Sequence, residues 1–311
     1  MLQTASKAFF GVLAESQSLK SLASRYGMRG RGGFARRFIA GESVEEAIEA
    51  ARAIERDRLL VTLDFLGESV ASIAEADAAT RAYAAVADAI ASSGVERNIS
   101  LKLTQLGLTI DRATCVDNLR RILDVARAKD FFVRIDMENS PFTEVTLGVF
   151  ETMWQQGYRN VGVVLQSCLT RSEADAANMN GLGARVRLVK GAYKEPRDVA
   201  YQSMAEVNAA YLRIMRILLA GGNYPAIATH DPVMIDATRA FAAEQRLDPS
   251  KYEFQMLYGI RRDLQASLVR EGYCVRVYVP FGREWFPYFM RRLGERPANV
   301  GFVVRGILGE R

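Results

Sequence analysis

The stretch 184-ARVRLVKG-191 reads as a short strand ending on a lysine and a glycine. Residues 197–220 behind it carry a helical pattern, and 224-YPAIATH-230 is again apolar and short. Strand, long helix and strand make a βαβ unit, whose two strands run parallel. The same alternation continues outward in both directions. Toward the C-terminus a helical pattern at 232–245 leads to 252-YEFQMLYG-259 and then 273-YCVRVYVPFG-282. Toward the N-terminus stand 59-LLVTLDF-65, 98-NISLKLT-104, 131-FFVRIDME-138 and 160-NVGVVLQS-167, with helical patterns at 70–91 and 112–128. Several of these strands are β-branched and apolar enough to be buried on both faces. Eight strands alternating with helices predict an α/β fold, the (β/α)8 TIM barrel. The rival, a doubly wound sheet, wants a Gly-rich turn after its first strand. DFLGES stands there instead, and the lone GLG at 181–183 is no dinucleotide fingerprint.

Composition bounds the function. The 311 residues are 49% apolar and 25% charged, which excludes wholesale disorder. Forty-one basic against thirty-six acidic residues give +5, an excess that permits an anionic substrate, cofactor or surface and does not demand nucleic acid. The single histidine, His230, excludes a multi-histidine zinc site, and no nucleophile elbow is present for a Ser–His–Asp triad. Cys115, Cys168 and Cys274 have no metal or redox spacing and fit free thiols in a reducing compartment. No apolar run approaches the roughly 18 residues of a membrane span. The first forty residues are basic, with Lys7, Lys20, Arg25, Arg29, Arg31, Arg36 and Arg37 against Glu15. They lack a secretory core. A helical arm packed on the domain is the favoured reading, ahead of an amphipathic helix on an anionic membrane and of a transit peptide. GRGGFARR is one copy without an aromatic series and does not read as an RNA-binding tail. Ser43 followed by Glu46 is a capping box for a helix at 43–58. The predicted division is an arm over 1–58 and a catalytic barrel over 59–311.

Barrel enzymes build their sites at the C-terminal ends of the strands. Those ends carry Asp64 and Glu68, Lys102, Asp136 and Glu138, Gln166, Arg187 and Lys190, Thr229 and His230, Gln255 and Tyr258, and Tyr278. After the eighth strand, 283-REWFPYFMRRLGE-295 sets Tyr288, Arg291, Arg292 and Glu295 on one helical face. Adjacent arginines offer rigid forks for a carboxylate, and Glu295 is placed to hold one of them. Pro287 moves the first helical turn to about Trp285. Lys102 and Lys190 suit a Schiff-base nucleophile. A flavin would instead meet Gln166, Lys190 and Thr229 along its ring edge. Spacing alone does not choose between the two.

The motifs TLDFLGE (62–68), SLKLTQLG (100–107), RIDME (134–138), VRLVKGAY (186–193), ATHD (228–231), YEFQMLYG (252–259), VRVYVPFG (275–282) and YFMRRLGE (288–295) together resemble the monofunctional bacterial proline dehydrogenase family. The resemblance covers roughly residues 40–295. It implies a distorted (β/α)8 barrel with an N-terminal helical arm and a final helix over the barrel mouth. It implies FAD held without a Rossmann unit, oxidation of L-proline to 1-pyrroline-5-carboxylate by hydride transfer to flavin N5, and a membrane quinone as acceptor. By the matching motifs, Asp136, Arg187 and Tyr278 are catalytic. Arg291 and Arg292 hold the substrate carboxylate with Lys102 below it, and Leu257, Tyr278 and Tyr288 pack on the ring. Glu68 pairs with the first arginine over bound substrate, and Glu295 orients the pair. Met137, Gln166, Arg187, Lys190, Gly191, Ala192, Thr229 and His230 fall on cofactor-binding positions. Tyr278 would clash with a ring hydroxyl, so proline is expected over 4-hydroxyproline. The expected location is the cytoplasm, with peripheral contact at the inner face of the cell membrane. A separate pyrroline-5-carboxylate dehydrogenase is expected to take the product.

Overall fold

The computed structural model describes Met28, residues 33–67 and residues 69–295. Most of the predicted arm and Glu68 lie outside these residues. Eight parallel strands close into a barrel in sequence order: β1 (Leu60–Phe65), β2 (Asn98–Leu101), β3 (Phe132–Ile135), β4 (Val161–Gln166), β5 (Arg185–Val189), β6 (Ala226–Ala228), β7 (Glu253–Leu257) and β8 (Val275–Phe281). The seam is closed by β1 lying beside β8, with Leu60 opposite Arg276 and Phe65 opposite Phe281. The described helices are α1 (Val44–Arg56), α2 (Ile73–Ser93), α3 (Arg112–Ala128), α4 (Thr143–Gln155), α5 (Ser172–Leu182), α6 (Met204–Gly221), α7 (Pro232–Glu244), α8 (Arg262–Arg270) and α9 (Trp285–Glu295).

Local chemistry sets these boundaries. Helix α1 starts where Ser43 and Glu46 form the anticipated capping box, and Ser203 with Glu206 repeats it at α6. Asp231 caps α7 ahead of Pro232 in the first turn. Helix α6 begins at Met204, later than the helical pattern from 197, because the Ser203 cap fixes its start. The second and third strands are shorter than expected. The chain leaves β2 at Lys102 for a tight turn over Leu103–Leu106, and Asp136, Met137 and Glu138 fall beyond β3.

Alternation along the strands sorts the side chains. In β8, Val275, Val277 and Val279 are buried in the apolar core, whereas Arg276 and Tyr278 take the intervening positions. In β7, Phe254 and Met256 join the core and Glu253 and Gln255 alternate with them. Hydrogen bonds then cross from strand to strand through the lumen, as from Arg187 on β5 to Ser100 on β2. The expectation of strands apolar on both faces therefore holds only in part: the lumen is polar. Toward the strand starts, Arg276 donates from Nε to both carboxylate oxygens of Glu253, at 2.9 and 3.0 Å, and from Nη1 to Glu96 at 2.6 Å. Arg134 beside them donates to the carbonyls of Val163 and Arg185.

The ring of outer helices has an exchanged seat. Helix α1, which precedes the barrel, packs against β1, β8 and α2, in the place where a helix after β8 would close the ring. Helix α9 instead forms a separate apolar cluster with Met28, Phe38, Ile39 and Leu66. The fully buried Trp285 anchors it, donating from Nε1 to Glu42 at 2.9 Å. Leu66 follows β1 directly, so α9 lies at the strand-end mouth, as the sequence predicted. Its start at Trp285 also matches the reading of Pro287.

Burial pushes the Glu253 carboxyl up, but the Arg276 charge and hydrogen bonds outweigh this and leave it below its ordinary range. Arg276→Met is expected to cost about 3–5 kcal/mol, because it strands a buried carboxylate. The measurement is the shift in urea midpoint at neutral pH. The wild-type contribution is complete above the ordinary carboxylate range and is lost as pH falls through the depressed value. The variant should therefore lose less stability than wild type on acidification.

Candidate active site

Arg187 organises the upper lumen. Its Nη1 donates to Asp136 Oδ1 at 2.7 Å and its Nη2 to Ser100 Oγ at 3.1 Å. Ser100 is in turn within 3.2 Å of Thr62 Oγ1. Tyr278 donates its phenol to the other Asp136 oxygen at 2.7 Å, and the Arg187 guanidinium carbon lies 5.3 Å from the Tyr278 ring centroid. Burial, then the charges of Asp136 and Asp64, push the Tyr278 phenol well above its ordinary range, so it stays a proton donor. Arg187 is only 4% exposed, and its Nε is buried without a hydrogen-bond partner among the described residues.

Lys102 stands beside this network with its Nζ 3.3 Å from the fully buried Asp64. Burial alone would drive its ammonium down, but the charges of Asp64 and Asp136 more than offset this and hold it above its usual range. The ion pair with Asp64 favours the ammonium form of Lys102, which does not suit a Schiff-base nucleophile. Lys190 is likewise committed, with its Nζ 2.6 Å from Asp231, the cap of α7.

Helix α9 brings its arginines to the same mouth. Arg291 acts electrostatically on both Lys102, whose ammonium it opposes, and Tyr193, whose phenolate it favours, so its positive charge lies near both. Among the described residues no carboxylate forms an ion pair with Arg291. Arg292 lies with its guanidinium carbon 5.1 Å from the ring centroid of the buried Tyr288, one turn back on α9. Side-chain detail of Glu295 lies outside the described residues, as does Glu68.

The remaining predicted positions line the ends of β3 to β7. Met137 and Thr229 are buried, and Thr229 accepts from the Asp231 amide. Gln166 donates to the Glu138 carbonyl at 2.8 Å. His230 accepts the Leu257 amide at Nε2 (2.9 Å), which ties the ends of β6 and β7 and leaves its ring proton on Nδ1. Gly191 has φ +105, and a Cβ there would overlap the Cys168 sulfur and come within 3.3 Å of Gln166 Oε1. Ala192 beside it is exposed. The buried Cys115 thiol, which donates to the Leu103 carbonyl, is pushed up to about 12 by burial and is chemically quiet.

The family model described as Proline dehydrogenase matches residues 47–305. The chain belongs to the proline dehydrogenase family. It is 41% identical over 299 residues to "Proline dehydrogenase 1" of Bacillus subtilis subsp. natto, covering 96% of this chain and 98% of that protein. It is 43% identical over 280 residues to "Proline dehydrogenase" of Deinococcus radiodurans, covering 88% and 90%. Among solved structures, proline utilization A (PutA) from Bdellovibrio bacteriovorus inactivated by N-propargylglycine superposes with a TM-score of 0.78 at 28% identity. That match covers 84% of this chain and 32% of the PutA chain. The proline dehydrogenase barrel is thus the same closed parallel barrel described above.

Several members of the network were not selected from sequence. Asp64 and Glu138 stand at strand ends with no role legible from sequence, and Ser100, Asp231 and Tyr193 lie unmarked inside the motifs. Thr62 and Asp64 alternate on β1, the period-two signal of lumen-facing residues. Asp231 before Pro232 carried a helix-cap signature. Nothing local marks Tyr193; only the spatial approach of α9 does.

Gly191→Ala is expected to lower Tm by roughly 5–10 °C, from overpacking against Cys168 and from left-handed backbone strain. Gly191→Ala/Cys168→Ala should recover only part of the loss, since it relieves the overlap and leaves the φ strain. Thermal unfolding of the two variants checks this.

Proposed function

We propose that the chain oxidises L-proline to 1-pyrroline-5-carboxylate with FAD as the resident cofactor and a membrane quinone as final acceptor. The observation that supports this is the lumen network of Asp136, Arg187 and Tyr278, with the Lys102–Asp64 pair beside it and Arg291 near enough to act on the Lys102 ammonium. Two like charges held this way call for an anion between them, and a substrate carboxylate supplies it. Family membership makes proline the acid in question.

The residues present fit FAD. The buried Arg187 Nε is a donor awaiting an acceptor, as a flavin ring edge provides. The bare Gly191 backbone, flanked by Cys168 and Gln166, leaves room for close approach where a side chain would not. Met137, Gln166, Arg187, Lys190, Gly191, Ala192, Thr229 and His230 would hold the cofactor. When bound, FAD supplies a two-electron acceptor that takes hydride from the proline δ carbon.

The chain's own residues then bind and orient. Arg291 and Arg292 fix the carboxylate end and Lys102 supports it from below. Tyr278 and Tyr288 set the face of the pyrrolidine ring, with Leu257 beside them. Arg187 keeps a positive charge where negative charge develops on reduction. Asp136 holds both Arg187 and Tyr278, so its carboxylate positions two partners at once. Helix α9 over the mouth excludes water from the reacting carbon. With the ring nitrogen neutral, loss of hydride from the δ carbon to the bound cofactor would let the nitrogen lone pair form the protonated C=N bond of the product, a net two-electron oxidation.

Purified protein is expected to be yellow, and its flavin absorbance to bleach with L-proline more readily than with 4-hydroxyproline. Colourless protein that stays inactive with added FAD would overturn the proposal. Arg291→Met should raise KM for proline about 10- to 150-fold, the loss of one charged hydrogen-bonding contact, with a smaller effect on kcat. Steady-state kinetics with a dye acceptor measures both.

A further inference from the structure

The exchanged helix seat leaves a cavity on the barrel's flank. Between α1 and α8, above the outer surface of β8 and the start of β1, lies a space of about 550 Å³. Of the strand-end residues considered for the active site only Tyr258 lines it, and none of those assigned to substrate or cofactor does. Its floor is apolar, with Leu59, Ala266, Val269 and Val277. Around it stand Arg56, Arg58, Arg262 and Arg270, against the single carboxylate of Asp57. Among the described residues none of these four arginines forms an ion pair, whereas their neighbours Arg261 and Arg239 are paired with Asp263 and with Glu271. Arg262 lies over Tyr258, its guanidinium carbon 5.6 Å from the ring centroid.

A solvated charged face mixes signs, and helix arginines ordinarily take a carboxylate three or four residues away. Here four exposed arginines line one concave, partly apolar space of a volume typical for small-molecule sites. We infer that this cavity is a binding site for a phosphate ester carrying an apolar body. Several guanidinium forks suit the three oxygens and the double charge of a phosphate better than the two oxygens of a carboxylate. The floor takes the apolar part, as the charge alone does not need it. A soluble phosphate ester and an anionic phospholipid share this chemistry. The inference is independent of the reading of the active site, since it uses neither proline nor flavin.

The test uses the holoenzyme with hexyl phosphate as a monomeric probe, and vesicles of phosphatidylglycerol or phosphatidylcholine as the lipid arm. Saturable hexyl phosphate binding is expected to raise Tm by about 3 °C at ten times Kd. Inorganic phosphate should bind more weakly, since it leaves the floor wet. Arg58→Glu/Arg270→Glu should abolish the shift by reversing two rim charges. Ala266→Trp should abolish it by filling the space with every arginine kept. Both variants should retain proline oxidation, which shows that they fold. A shift by hexyl phosphate marks a soluble ligand. Binding confined to phosphatidylglycerol vesicles, and lost in both variants, marks a lipid headgroup. Absence of both, equal binding to phosphatidylcholine, or binding unchanged in either variant would overturn the site.

Discussion

A charged group taken out of water must find its opposite, and this requirement shapes the inside of the barrel. Arg187 is held between Asp136 and Ser100, Asp136 also accepts from Tyr278, and Asp64 sits under Lys102. Nearer the strand starts Arg276 is clasped by Glu253 and Glu96. Each guanidinium is fixed by partners on or next to other strands, so the lumen chemistry and the closure of the sheet are the same problem. A conventional barrel fills this space with branched apolar side chains. Here the hydrophobic stabilisation is moved outward, to the sheet–helix interface where Val277, Phe254 and Leu188 are buried.

The same arrangement prepares a site. Rigid strands carry Arg187 and Tyr278, so their relative placement does not depend on loop order. Asp136, just past β3, fixes both. The variable component is α9, which is attached through its own apolar cluster around Trp285 and Phe289. The two cations proposed to bind substrate stand on different elements, Lys102 at the end of β2 and Arg291 on the capping helix. That division suits a mouth that must admit a small amino acid and then surround it.

The fold was legible because alternation of strand and helix is a local property. The Ser43–Glu46 cap and the Trp285 start of α9 likewise rest on a few adjacent residues, and both stood as read. The polar lumen was less legible. Arg134, Arg276 and Glu253 look like surface charges in one dimension, and only closure of the sheet turns them inward. Of the candidate site, the strand-end residues and the Arg291–Arg292 pair could be picked out from sequence as candidates. Its supporting members, Asp64, Ser100 and Tyr193, are defined by contacts between segments 38 to 98 positions apart, and spacing carries no trace of these. The seat of α1 between β8 and β1 was equally hidden, since its amphipathic pattern says that it is covered and not by what.

That seat has a consequence for biosynthesis. The helix that seals the β8–β1 seam is made before any strand, and the strand it must grip is made last. Until residues 275–281 leave the ribosome, α1 has half of its docking surface and β1 an unsatisfied edge. Closure of the barrel thus requires the last strand to meet the first, so the β1–β8 pairing forms only once β8 has been made.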